Sequence, residues 1–234
     1  MPGAMREELL HLIFPNVCVV CHSLLLPAEA YCCHRCIAEF DAFKSPWAAE
    51  EVLRHTIQSR FGGTLHFEHG WCRYLFHKHS SLQELLHAMK YEGLFDLATT
   101  FGRQLGEWML SGDDALQVEV IVPVPLHRLK KIERSFNQAE KIAEGIGQSL
   151  HLPVRSELLA RKRYTASQTG LSAAMRKKNL AGAFQASKAI AGRHVLLVDD
   201  VVTTGATLAA AAEAVRRGGA ASLSVAAIAL AAKE

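Results

Sequence analysis

Apolar residues recur at helical spacing over Ser81–Lys90, where Leu82, Leu85, Leu86 and Met89 share one face. A second such face, made of Leu97, Phe101, Leu105, Trp108 and Met109, runs through Leu94–Leu110. Beyond it, strand-like and helix-like patterns alternate. "VEVIVPVP" reads as a buried strand ending at Pro123 and Pro125, and Phe136–Leu150 reads as an amphipathic helix. Leu158 and Leu159 open a short strand, and Arg193–Val198 is a second buried strand. Thr204–Arg217 is a helix stopped by Gly218 and Gly219, and Ser222–Leu230 is a last strand. This alternation predicts an α/β fold: a mainly parallel sheet flanked by helices on both faces. Upstream the pattern is weaker. His66–Phe76 reads as a strand pair or one bent strand marked by Phe67, Trp71 and Tyr74. Lys44–Thr64 reads as a connection with one short helix. The chain divides near residue 45 into a cysteine-rich segment, 1–45, and a body, 46–234.

Half of the 234 residues are apolar, enough for a core and too many for a disordered chain. Net charge is only +3, but the cations cluster at 128–134, 161–163 and 176–178. Such clusters suit phosphates or nucleic acid, although a solvated surface is the commoner explanation. The N-terminal stretch carries acids where a secretory signal needs cations. The last apolar run, 222–232, is too short to span a bilayer. The expectation is a cytoplasmic protein without a transmembrane segment, whose six cysteines serve as thiols or metal ligands.

Cys18 and Cys21 form one C-x-x-C knuckle, and Cys33 and Cys36 form another. Each knuckle turns two thiolates to one side, and two knuckles complete a tetrahedral shell. A closed shell leaves no place for water, so a zinc ion held here is structural. Cys32 could replace Cys33 by a register slip, and His22 or His34 could serve as a ligand. Cys72 reads as packing. His55, His66, His69, His77, His79 and His87 follow no metal spacing and are given no role.

The other chemistry-bearing stretch is "VLLVDDVVTTGAT". Asp199 and Asp200 sit where a buried strand meets its loop, the end at which open α/β sheets bind ligands. Gly205 permits close backbone approach. Backbone N–H groups and the hydroxyls of Thr203, Thr204 and Thr207 can surround a phosphate at the start of the following helix. Two carboxylates suit a vicinal diol, and they can help to hold Mg²⁺. Ribose 5-phosphate offers both a phosphate and a diol, so the acids face the sugar and the loop faces the phosphate. A plain strand–loop–helix turn with acidic caps is the simpler alternative.

That stretch resembles the phosphoribosyl pyrophosphate (PRPP) motif of type I phosphoribosyltransferases. Together with "FPNVCVVC", "LHAMKYEG", "VPVPLHRLKKIERSFNQAEKIA" and "RYTASQTGLSAAMRKKNLAGAF", it gives the chain a near full-length resemblance to the ComF/GntX family. The resemblance implies a type I phosphoribosyltransferase fold behind a small N-terminal four-cysteine zinc ribbon. It implies that Asp199, Asp200, Val201, Val202, Thr203, Thr204, Gly205, Ala206 and Thr207 bind PRPP with Mg²⁺. Pro125, His127, Arg128, Lys130, Lys131 and Arg134 would belong to a pyrophosphate loop, and Arg163, Gln168 and Arg176 to a flexible loop that closes over the site. One position departs: the family usually has R-G-F-N-Q, and Ser135 stands at the glycine. Serine is strained there if the position needs positive φ, and fits well if it needs only a small residue or a cap. Lys90 and Tyr91 also match the family, either as loop surface or as a wall of the site.

The resemblance further implies uptake or processing of single-stranded DNA, as in natural competence or DNA utilisation, alongside a helicase partner. A free-standing phosphoribosyltransferase and a PRPP-sensing regulator without turnover would share the same site. No catalytic side chain is apparent. Near the basic segments the sequence offers only Tyr164, Phe136 and Phe184 for base stacking.

Overall fold

The computed structural model describes residues 16–61, 66–91, 93–112, 116–127, 130, 132, 134–162 and 182–232. A parallel sheet forms its centre, built from β1 (Gly70–Phe76), β2 (Val120–Pro123), β5 (His194–Val202) and β6 (Ser222–Ala231) in the order β1-β6-β5-β2. A small antiparallel pair, β3 (Leu159–Arg161) with β4 (Phe184–Ala186), lies apart from it.

Both faces of the sheet are covered, which is why its strands read as continuous apolar runs. Val195 and Leu197 of β5 join one core, and Leu196 and Val198 join the other. The first core contains α2 (Pro46–Phe61) through Ala49, Leu53 and Ile57, and α6 (Ala206–Arg217) through Leu208, Ala211 and Val215. The second contains α3 (Ser81–Tyr91), α4 (Phe95–Leu110) and α5 (Gln138–Leu150). Helices α4 and α5 cross at glycines. A Cβ on Gly145 would lie 2.1 Å from the Thr99 carbonyl oxygen, and one on Gly102 would lie 2.2 Å from that of Ile142.

One expectation is corrected and one alternative is settled. Residues 44–64 hold a helix of 16 residues rather than a connection with one short helix. Its buried apolar positions, among the described side chains, recur only every fourth residue, and Trp47 is 73% exposed, so the apolar face is thin. Residues 66–76 give one strand, Gly70–Phe76, not a pair. Strand β5 also runs on through both acids to Val202.

The cysteine segment carries a short helix, α1 (His34–Ala38). Its side chains Cys18, Leu25, Cys36 and Phe40 share a core with Trp71, Tyr74 and Leu82. Residues 41–43 run antiparallel to β1: the Leu75 N–H donates to Asp41 O at 2.7 Å, and the Phe43 N–H donates to Arg73 O at 3.0 Å. At the opposite edge, the Ile121 N–H donates to Pro153 O and the Arg155 N–H to Ile121 O.

Candidate functional site

The cleft opens where β2 ends and β5 runs on beyond it. The Val124 N–H donates to Val198 O at 2.7 Å, holding the end of β2 against β5. Asn137, the residue before α5, donates from Nδ2 to Val124 O at 3.1 Å and so fixes the start of that helix against β2. Lys90, Pro125, Lys130, Arg134, Gln138, Arg161, Asp199, Asp200, Val201, Thr203 and Thr207 are among the residues that line a cleft of about 220 Å³.

The two acids differ in state. Burial, and then the neighbouring Asp200 charge, push Asp199 up to about 8. Burial is the largest influence on Asp200 and pushes it up, but Lys90, the Val201 N–H and the Arg134 charge together hold it below the usual carboxylate range. Lys90 Nζ lies 2.8 Å from Asp200 Oδ2, reaching over from the last turn of α3. Backbone donors help: the Asp200 N–H donates to Asp199 Oδ1 at 2.9 Å, and the Val201 N–H to Asp200 Oδ1 at 2.7 Å. Arg161, at the end of β3, has its guanidinium 5.3 Å from the Phe184 ring centre. Burial pushes its pKa down, and the Asp199 charge opposes that shift.

Behind the acids, the turn into α6 depends on Gly205, whose φ is 78°. Thr204 Oγ1 accepts from the Ala206 N–H at 3.4 Å. Thr203 and Thr207 line the cleft. Val202 and Ala206 do not: they are 2% and 4% exposed and lie in the core. Strand alternation and the helix's inner face place them there, so they support the turn from behind.

Across the cleft, Arg134 Nη1 donates to Gln138 Oε1 at 3.2 Å. Gln138 is 1% exposed. Arg134 Nε and Gln138 Nε2 are both buried with no hydrogen-bond partner among the described residues. Buried donors without acceptors are costly, and an anion at the start of α5 would satisfy them. Ser135 has a φ of 66° and is exposed. The position at which the family has glycine therefore does adopt the left-handed conformation, and serine carries strain there. His127 is not among the lining residues. Arg128, Lys131, Arg163, Gln168 and Arg176 lie outside the described residues.

Lys90 and Arg161 both line the cleft. Lys90 carried two signals, the family match and its place beside an apolar helical face, and nothing local connects it with Asp200.

The four cysteines Cys18, Cys21, Cys33 and Cys36 bring their Sγ atoms within 4.8 Å of one another and could hold a metal ion. Cys18 and Cys36 are 3.9 Å apart, and Cys21 and Cys33 are 3.7 Å apart. A tetrahedron with Zn–S bonds of about 2.3 Å has edges of about 3.8 Å, so the set fits that ion. The Cys33 N–H donates to Cys18 Sγ at 3.4 Å. Hydrogen bonds from Ser23 bring Cys21 down to about 6. Burial pushes the fifth thiol, Cys32, up to about 12. Cys32 is outside the cluster, which decides the register in favour of Cys33. Neither His22 nor His34 belongs to the cluster either. No described helix is long and apolar enough to cross a membrane.

Residues 133–234 match a family model described as a phosphoribosyl transferase domain. DNA utilization protein YhgH of Escherichia coli (strain K12) is 37% identical over 147 residues, which are 62% of this chain and 65% of that protein. Competence protein F of Haemophilus influenzae is 30% identical over 202 residues, 82% of this chain and 86% of that protein. Among solved structures, glutamine PRPP amidotransferase from B. subtilis, complexed with ADP and GMP, aligns with 56% of this chain and 25% of its own. The TM-score is 0.39 and the identity is 21%.

Proposed function

Because the chain belongs to the competence protein F (ComF) family, we propose that its cleft binds a phosphoribosyl ligand of the PRPP type and that the protein acts in uptake or processing of single-stranded DNA. The ribose hydroxyls would donate to Asp199 and Asp200, and the turn from Thr203 to Thr207 would take the 5-phosphate. Pro125, His127, Arg128, Lys130 and Arg134 belong to the diphosphate end, with Arg163, Gln168 and Arg176 in the closing loop. Two observations support the division of labour. The acids stand on the β5 side of the cleft, and the orphaned donors Arg134 Nε and Gln138 Nε2 stand on the α5 side. The second observation carries the reading, since an anionic end group at α5 gives both nitrogens an acceptor.

Bound Mg²⁺ would neutralise diphosphate charge, with the acid pair and the ligand's own oxygens as its donors. The domain division would be a zinc-ribbon segment, 1–45, with Cys18, Cys21, Cys33 and Cys36 as ligands, and a phosphoribosyltransferase-like domain, 46–234. The protein is cytoplasmic, and a helicase of the DNA-uptake machinery is its partner. A second reading is a free-standing phosphoribosyltransferase, in which the bond from the anomeric carbon to diphosphate breaks as a bond to a base nitrogen forms. A third is a PRPP-sensing regulator without turnover.

Calorimetric titration with PRPP and Mg²⁺ tests the site. Saturable binding by the wild-type chain, lost in Asp199→Asn/Asp200→Asn with the fold intact, is the expected result. Equal affinity of the variant would remove the acid pair from the site. Release of diphosphate with a defined base would favour the transferase reading. A PRPP-dependent change in partner affinity without turnover would favour the regulator.

A further inference from the structure

Aromatic surface from two distant parts of the chain meets at the rim of the cleft. Tyr91 ends α3 and is 50% exposed. Its ring centre lies 4.6 Å from that of His87, one turn earlier, and the Arg134 guanidinium carbon lies 5.5 Å from it. Phe95, at the start of α4, is 46% exposed and meets Phe136 edge to face, with ring centres 5.1 Å apart. Two contacts thus join residues 134–136 to residues 91–95. They set the Tyr91 ring beside Arg134 and the Phe95 ring against Phe136, which lies in sequence between the cleft-lining Arg134 and Asn137; Lys90 and Lys130 line the same cleft.

A cluster of open aromatic rings marks a surface that something covers. The interleaved cations decide what. An apolar protein face would have to desolvate Arg134 and Lys130 without compensation. An unpaired nucleic-acid strand supplies both complements: flat bases for the rings and phosphates for the cations. A duplex hides its base faces and offers only the phosphates. The platform also adjoins the cleft in which the ribose is placed, so a strand lying here would run past the phosphoribosyl site.

We propose that Tyr91 and Phe95 form a base-stacking platform for single-stranded DNA at the rim of the cleft, with backbone phosphates on the side of Lys130 and Arg134. This rests on the DNA-handling part of the function proposed above. Stacking tolerates any base, so the surface distinguishes a base from no base rather than one base from another.

Fluorescence anisotropy with the full chain tests it, using a labelled thymidine oligomer and an abasic oligomer of equal length. Wild type should prefer the thymidine oligomer by about tenfold. Tyr91→Ala/Phe95→Ala should lose that preference, keep the salt dependence of binding, and retain its circular dichroism. Tyr91→Phe should keep the preference. If wild type binds both oligomers equally, or the double variant still prefers bases, the platform is overturned while DNA handling stands. If wild type binds neither oligomer at low salt, the platform and the DNA reading fall together.

Discussion

Lys90 and Asp200 form an ion pair, 2.8 Å from Nζ to Oδ2, that joins the end of α3 to the acid pair of β5. A diol or a cation reaching Asp200 Oδ2 would have to displace the amino group. Lys90→Met should therefore strengthen binding of Mn²⁺ alone by roughly fivefold or more, since a positive charge leaves the cleft. Mn²⁺ electron paramagnetic resonance reads this directly; unchanged affinity would mean that Lys90 does not compete for Asp200.

The raised Asp199 group makes stability pH-dependent. An acid whose folded pKa is about 8 against 3.8 ordinarily binds more protons when folded throughout that interval. Stability of the ligand-free chain should fall as pH rises across it, and Asp199→Asn should flatten that slope. Melting temperature measured against pH tests the sign; a slope in wild type equal to that of the variant would contradict it. Ligand binding with Mg²⁺ should release a proton below about pH 8, visible in calorimetry as a heat that depends on buffer ionisation.

At Ser135 a φ of 66° predicts that Ser135→Gly stabilises the protein by roughly 0.5–1 kcal/mol. Urea denaturation measures this. A neutral or destabilising result would indicate that the serine side chain offsets its own strain.

The crossing of α4 and α5 allows no side chain at its contact points. With the Thr99 oxygen 2.1 Å from a Cβ on Gly145, Gly145→Ala should cost about 2–4 kcal/mol. Gly112→Ala is the control: its Cβ would meet nothing nearer than 3.5 Å.

Metal removal should act on the ribbon first. Elemental analysis should find about one zinc per chain. Chelation should make residues 16–40 sensitive to protease while the circular dichroism of the sheet persists. A metal-free purified protein with a rigid ribbon would refute the four-thiolate site.

The parallel sheet was legible because β2, β5 and β6 are buried on both faces and carry apolar runs. The turn from β5 into α6 was legible because Gly205 and its flanking hydroxyl residues are contiguous. Helix α2 was not, because three small or medium apolar residues at four-residue intervals leave little contrast with an exposed Trp47. The motif also could not show that Val202 and Ala206 face the core, since that follows from where helices pack. Lys90, Arg161, Tyr91 and Phe95 act beside residues far from them in sequence. Only the fold brings Tyr91 to Arg134 and Phe95 to Phe136, so a count of aromatics near the basic segments understated the stacking surface.

An open sheet has two edges, and each is a template for pairing with another chain. Here residues 41–43 run along β1 and residues 153–155 run along β2, so neither edge offers an uninterrupted row of backbone groups. The β1 guard lies within the cysteine segment, a few residues after Cys36. If the four thiolates hold a metal, its loss would loosen the strip that shields β1, and the first symptom in a purified sample would be turbidity and chain-to-chain association rather than a changed ligand affinity.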